Sequence, residues 1–286
     1  MCWGANTVFA KLAVGEVSPM MLTAWRWLGV VILAWILAYR GIRSEWATLR
    51  ANIWYLFAMG ALGFTAFNGL FYMAAHDTTA LNMGIIQGTI PVFVVLGAFL
   101  VFRERVGVVQ GLGVLITLVG VALVATEGQL GRVLEMVFNR GDLMIMTACF
   151  LYAGYTIWLR NKPNVSALTW FAMLATAALI ASIPAAVIEW QLGIGMYPTP
   201  KAWGVLVLII IFPSFMAQVF FIRGVEILGP GRAGIFVNLV PILASLAAVL
   251  VLGEVFMWYH AVALLLVLGG IALAEKFAPA NQSVAK

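Results

Sequence analysis

Charge is what this chain has least of. Asp, Glu, Lys and Arg make up 9% of its 286 residues, against about 25% in a soluble domain, so a water-dispersed globular enzyme is excluded. Cysteine is nearly missing. Cys2 and Cys149 are the two present, both in apolar stretches, which leaves no disulfide framework and no metal site and makes both packing residues. The alternation expected of outer-membrane barrel strands is also lacking, because the apolar residues come in long blocks. No GxxxxGK[ST] phosphate loop and no HExxH zinc helix occurs. ATP drive and metalloprotease chemistry therefore have no support, and no cofactor or metal is expected.

What is present is apolar: 64% of the residues are hydrophobic. A helix needs about 20 such residues to cross the hydrocarbon core. Turn signals divide the chain into ten spans, near Met1–Val14, Ser18–Tyr39, Asn52–Ala75, Thr79–Phe102, Gly107–Thr126, Gly141–Leu159, Ser166–Trp190, Ala202–Val225, Arg232–Leu252 and Trp258–Glu275. The expected fold is an all-α polytopic membrane protein with ten transmembrane helices. The first span is short, and the chain is read as starting partway down that helix. No basic n-region and no small-residue cleavage site marks it as a signal peptide. Short linkers leave no room for a soluble domain.

The net charge of +5 lies between the apolar blocks and reads as a topology signal rather than a nucleic-acid surface. Arg40, Arg43, Arg50, Arg103, Arg105, Arg160, Lys162, Arg223, Arg232, Lys276 and Lys286 fall on the side of the amino terminus, here side one. Side two receives Lys11, Arg132, Arg140 and Lys201, and Arg26 lies within a span. Basic loops stay cytoplasmic. Both termini are therefore expected on the cytoplasmic face of the cytoplasmic (inner) membrane.

The chain also repeats itself. At an offset of 150 residues, Gly84, Ile85, Pro91, Leu96 and Ala98 meet Gly234, Ile235, Pro241, Leu246 and Ala248, and Glu104 and Gly120 meet Glu254 and Gly270. The expected organisation is a first five-helix repeat over 1–126, a connecting loop over 127–140 and a second repeat over 141–286. An odd number of spans per repeat makes the two halves inverted. Inverted repeats are the signature of secondary transporters, with substrate held near the midplane between them.

The sequence resembles the drug/metabolite transporter superfamily, and within it the ten-helix EamA-type transporters. The resemblance rests on Trp3-Gly4-Ala5-Asn6 with Lys11, on Ser18-Pro19 with Arg26, and on Phe102-Arg103-Glu104-Arg105 leading to Gly111 and Gly120. Leu252-Gly253-Glu254 leading to Gly270 repeats the last of these. It covers nearly the whole chain. It implies an exporter of amino acids, aromatic ones included, or of other small metabolites.

Polar side chains inside spans are costly and tend to face the bundle interior. The repeat pairs Asn68 with Gln218 and Phe71 with Phe221, sets Gln87 near Asn238, and pairs Asn6 with Tyr155 and Lys11 with Arg160. Phe64, Asn68, Phe71, Tyr72 and Ala75 share one helical face, with His76 just beyond. Trp158 shares a face with Tyr155. The candidate substrate wall is therefore Asn6, Arg26, Asn68, Phe71, Tyr72, His76, Gln87, Tyr155, Trp158, Gln218, Phe221 and Asn238. Interhelical amides also serve as packing glue. For Arg26 two roles stay open, pairing with helix-end carbonyls or contact with a substrate carboxylate. Lys11 is expected to snorkel outward. Glu104 and Glu254 are expected to favour the amino terminus of the helix that follows each, and His260 to sit at the membrane interface. Gly84, Pro91, Gly234 and Pro241 are expected to permit close packing or bending.

These residues suggest a secondary or facilitative exporter working by alternating access, with amino acids of aromatic or bulky apolar side chain favoured. No carboxylate lies mid-span, and His76 is the one candidate for proton linkage. The alternatives are export of nucleosides, sugars or lipophilic compounds, with proton coupling, and, more remotely, an intramembrane enzyme. The expected partners are a small-molecule substrate and the lipid bilayer, with no nucleic acid, in a monomer or homodimer.

Overall fold

The computed structural model describes residues 2–103, 106–129, 139–228 and 236–276. Ten helices pack together among them. They are α1 Cys2–Ala13, α2 Pro19–Ala51, α3 Ile53–Asp77, α4 Ala80–Phe102, α5 Val108–Ala125, α6 Arg140–Asn161, α7 Ala167–Gln191, α8 Pro200–Gly224, α9 Val237–Leu252 and α10 Trp258–Lys276. No strand occurs among the described residues. Eight of the helices are long and apolar enough to cross a membrane, and α9 is a shorter apolar helix. Large apolar side chains such as Leu100, Leu250 and Leu265 point outward, about three-quarters exposed. Water would not tolerate that surface; lipid does. The protein is an all-α polytopic membrane protein.

Local chemistry sets the helix starts. Pro19 stands at the first position of α2 and Pro200 at that of α8, where a missing N–H costs nothing. Thr79, Asn139, Ser166 and Thr199 cap α4, α6, α7 and α8, each side-chain oxygen accepting from a backbone N–H of the first turn. The second span ends differently from the sequence expectation. Instead of stopping near Tyr39, α2 continues through Arg40, Arg43 and Arg50 to Ala51. Cations suit a helix carboxyl terminus, and 33 residues reach about 50 Å, well beyond a ~30 Å core.

Close pairings join α5 with α10, α2 with α7, α3 with α6 and α7, α4 with α6 and α9, and α1 with α9. Small residues let them approach. A Cβ on Gly113 would stand 2.6 Å from the Gly270 carbonyl, one on Gly4 2.9 Å from the Ala244 nitrogen, and one on Gly84 2.5 Å from the Ala244 Cβ. Gly84 is thus a packing residue between α4 and α9. Gly111, by contrast, faces open space. Gly234 and Glu104 lie outside the described residues.

Three local irregularities recur about 150 residues apart along the chain. A π-helical segment interrupts α3 at Ala61–Ala66 and α8 at Ile210–Met216. A 3₁₀ turn stands at Gln87–Thr89 and again at Phe236–Leu239, just before Pro91 and Pro241. α4 ends on Arg103 and α9 on Gly253, both left-handed with φ of 54° and 67°. The π segment of α8 contains Pro213, which cannot donate, and Ser214 Oγ donates to the Ile209 carbonyl at 2.6 Å.

Candidate functional site

A buried polar cluster forms where α1, α2 and α3 meet. Arg26 lies eight residues past Ser18, about 12 Å down α2, and is only 6% exposed. Its Nη1 donates to Asn68 Oδ1 at 2.5 Å and to the Tyr72 hydroxyl at 2.6 Å. The hydroxyl of Tyr72 donates onward to Asn6 Oδ1 at 3.4 Å, and Asn68 Nδ2 donates to the Phe64 carbonyl at 2.6 Å. Four residues singled out in the sequence therefore form one connected group. The partners of Arg26 are side chains of α3 rather than helix-end carbonyls.

An aromatic wall continues from this cluster. Trp27 stacks on Phe64 with ring centroids 4.8 Å apart, Phe64 meets Tyr155 at 5.4 Å, and Tyr155 meets Tyr152 at 5.4 Å. Phe67 joins Tyr152 at 5.1 Å and Phe71 at 5.8 Å, and Phe71 meets Tyr72 at 5.7 Å. The π segment of α3 helps shape this wall: a Cβ on Gly63 would stand 2.5 Å from the Tyr155 ring. Such π turns break a carbonyl out of register and are frequent at functional sites.

The other candidates make their contacts elsewhere. Gln87 donates to its own helix, at the Met83 carbonyl. Gln218 is half-buried on α8 near Phe221, whose ring meets Trp3 at 5.4 Å across to α1. Asn238 donates to both oxygens of Glu275, a bond within the second half. His76 is exposed at the end of α3. Trp158 is 48% exposed, and its carbonyl accepts from the Tyr55 hydroxyl. His76 and Trp158 stand at helix ends, where one further turn carried each past the buried face.

Side two is densely cross-linked, and several sequence expectations change there. Glu254 bonds not the helix that follows it but the amino terminus of α4, accepting from Ala80 and Leu81 N–H at 2.8 Å each. His260 is buried, its Nε2 3.3 Å from Asn82 Oδ1. Lys11 does not snorkel: its Nζ donates to the Ala75 carbonyl at 2.8 Å, capping α3. Glu189 of α7 accepts from Met20 and Met21 N–H at the start of α2. Glu16 accepts from Thr199 Oγ1 at 2.5 Å and pairs with Lys201 at 3.0 Å. The Thr199 hydroxyl, more than Lys201, holds the Glu16 carboxyl below its ordinary range. Thr78 donates to Asp142 at 2.5 Å. On side one, Glu45 of α2 accepts from Ser166 N–H at the start of α7, so α2 and α7 cap one another. Spacing along the chain carries no sign of these partners, because each joins segments more than 60 residues apart.

Known proteins place the chain in context. The model of the EamA-like transporter family matches residues 1–126 and 139–275. The uncharacterized transporter YyaM of Bacillus subtilis (strain 168) is 25% identical over 283 residues, 95% of this chain and 89% of that one. An uncharacterized transporter of Archaeoglobus fulgidus is 24% identical, over 96% of this chain and 93% of its own length. YetK of Bacillus subtilis (strain 168), also an uncharacterized transporter, is 22% identical over 94% of this chain and 82% of its own. A protein crystal structure with the same fold superposes with a TM-score of 0.63 at 20% identity, covering 97% of this chain and 94% of that chain.

Proposed function

Because this chain belongs to the EamA-like transporter family, we propose that it exports small organic metabolites across the cytoplasmic membrane by alternating access. Amino acids with aromatic or bulky apolar side chains are the preferred class. The observation that carries this reading is the Arg26–Asn68–Tyr72–Asn6 cluster, buried beside a continuous aromatic wall. Amides and a phenol can bond both ends of a zwitterion without adding charge, while Phe67 and Tyr152, the partly buried rings of the wall, would offer apolar area to the side chain.

In this reading residues 1–126 and 141–286 are inverted repeats that rock against each other. The recurring π segments, 3₁₀ turns and left-handed caps support that organisation. Side two is the extracytoplasmic face. Its cross-links favour closure of that face, which supports reading this arrangement as cytoplasm-facing. Six of the described carboxylates, Glu16, Glu45, Asp142, Glu189, Glu254 and Glu275, are bonded to helix starts or to polar neighbours, and His76 is exposed. Transport is therefore facilitated or only weakly linked to protons.

Efflux from proteoliposomes preloaded with a mixed amino-acid panel, with no ion gradient, tests the proposal. Selective release of Phe, Trp, Met or Leu above empty liposomes is expected. Release of none of them, or release only under an imposed proton gradient, would count against it.

A further inference from the structure

We infer that Arg26 is the docking point for a carboxylate of the transported molecule, so that the site demands an anionic group and rejects amines and neutral analogues. The inference rests on the transport reading above and sharpens its substrate class. It begins from an imbalance of charge. Arg26 is buried, and a guanidinium remains protonated in proteins. No carboxylate lies within ion-pair distance of it among the described residues. Burying an unpaired charge is expensive, and two neutral oxygens, on Asn68 and Tyr72, offset that cost only in part.

A second imbalance lies in the hydrogen bonds. Arg26 Nε and the neighbouring Trp27 Nε1 are both buried and without an acceptor among the described residues. The guanidinium carbon stands 5.1 Å from the Trp27 ring. Both groups donate and neither accepts, so what the cluster lacks is acceptor oxygens carrying negative charge. A guanidinium presents its N–H groups in a fork that matches a carboxylate. Asn68 and Tyr72 then serve as placeholders: they occupy one Nη while Nε remains open. A purely structural arginine would be expected to have its donors filled by the fold.

Two measurements on the full-length purified protein test this. The first is inhibition of L-phenylalanine efflux by 3-phenylpropionate, which keeps the carboxylate, and by phenethylamine, which keeps the amine. The second is thermal stability in detergent with the same two compounds and with chloride, at matched ionic strength. Expected is inhibition and a rise in Tm with 3-phenylpropionate and neither with phenethylamine or chloride. Arg26→Gln should weaken the carboxylate effect about ten- to hundredfold, the range of a hydrogen bond to a charged group. Should Arg26→Gln fail to fold, Asn68→Asp serves instead: a built-in carboxylate would satisfy Arg26, raise Tm and abolish the response to 3-phenylpropionate.

Equal effects of amine and carboxylate, an equal Tm rise with chloride, or an undiminished carboxylate response in both variants would overturn the inference. Efflux without carboxylate preference would sink the inference and leave the transport reading standing. A carboxylate-specific Tm rise without phenylalanine efflux would uphold carboxylate docking at Arg26 and count against phenylalanine as the transported molecule. No Tm response to 3-phenylpropionate in the wild type, with no inhibition, would sink it as well.

Discussion

At the scale of single residues, the candidate site is built of closely packed side chains. Gly63 is the sharpest case. Its missing Cβ leaves room for the Tyr155 ring, which a methyl group would approach to 2.5 Å. Gly63→Ala should destabilise the protein by about 1–3 kcal/mol, seen as a lower Tm in detergent, and should lower transport even where the protein still inserts. Arg26, Asn68 and Tyr72 were legible in the sequence because each is a polar group set in an apolar run, where its burial needs a reason. Trp27 was not, since an indole inside a span reads as one more apolar residue. His76 and Trp158 are exposed instead of buried with that face: sequence spacing fixes a helical face but not how far along the helix that face stays covered.

At the scale of elements, helix ends matter more than helix faces. Glu254 supplies both oxygens to the first turn of α4 from a turn in the other half of the chain. Glu254→Gln keeps one acceptor and gives up the charge, so closure of side two should weaken. With Cys2 replaced, a cysteine at Ser18 should then react with a membrane-impermeant maleimide about tenfold faster than in the parent protein. An unchanged rate would show that Glu254 has no part in that closure.

Glu16 offers a check by pH. Its folded pKa is depressed from the ordinary 4.5. The bonds to Thr199 and Lys201 therefore add stability above that value and lose it as pH falls through the folded pKa. The Tm gap between the wild type and Glu16→Gln should be present at neutral pH and close in acid. The sequence showed these carboxylates near span ends and the helix starts beside them. It gave no means of matching one to another, because the partners come together only when helices distant in sequence pack.

At the scale of the whole molecule, the number of helices and the fold class were legible, since long apolar blocks leave few other solutions. The length of α2 was not, because arginines that end a hydrophobic span do not end a helix. The π segments of α3 and α8 also lay beyond sequence reading, although Gly63 and Pro213 occupy them at the same offset of 150 residues. In the proposed carrier, paired defects of this kind would give the two repeats equivalent places to bend. A carrier that alternates between two access states needs such places in both halves.

Counterflow tests that account most directly. Proteoliposomes loaded with unlabelled L-phenylalanine are diluted into a trace of the labelled compound. A carrier working by alternating access should gather label transiently above equilibrium, and Asn68→Ala should abolish the overshoot while inserting normally. A channel, a scaffold or a carrier of some other substrate would give no overshoot in the wild type, and a full overshoot in Asn68→Ala would move the substrate site away from the Arg26 cluster.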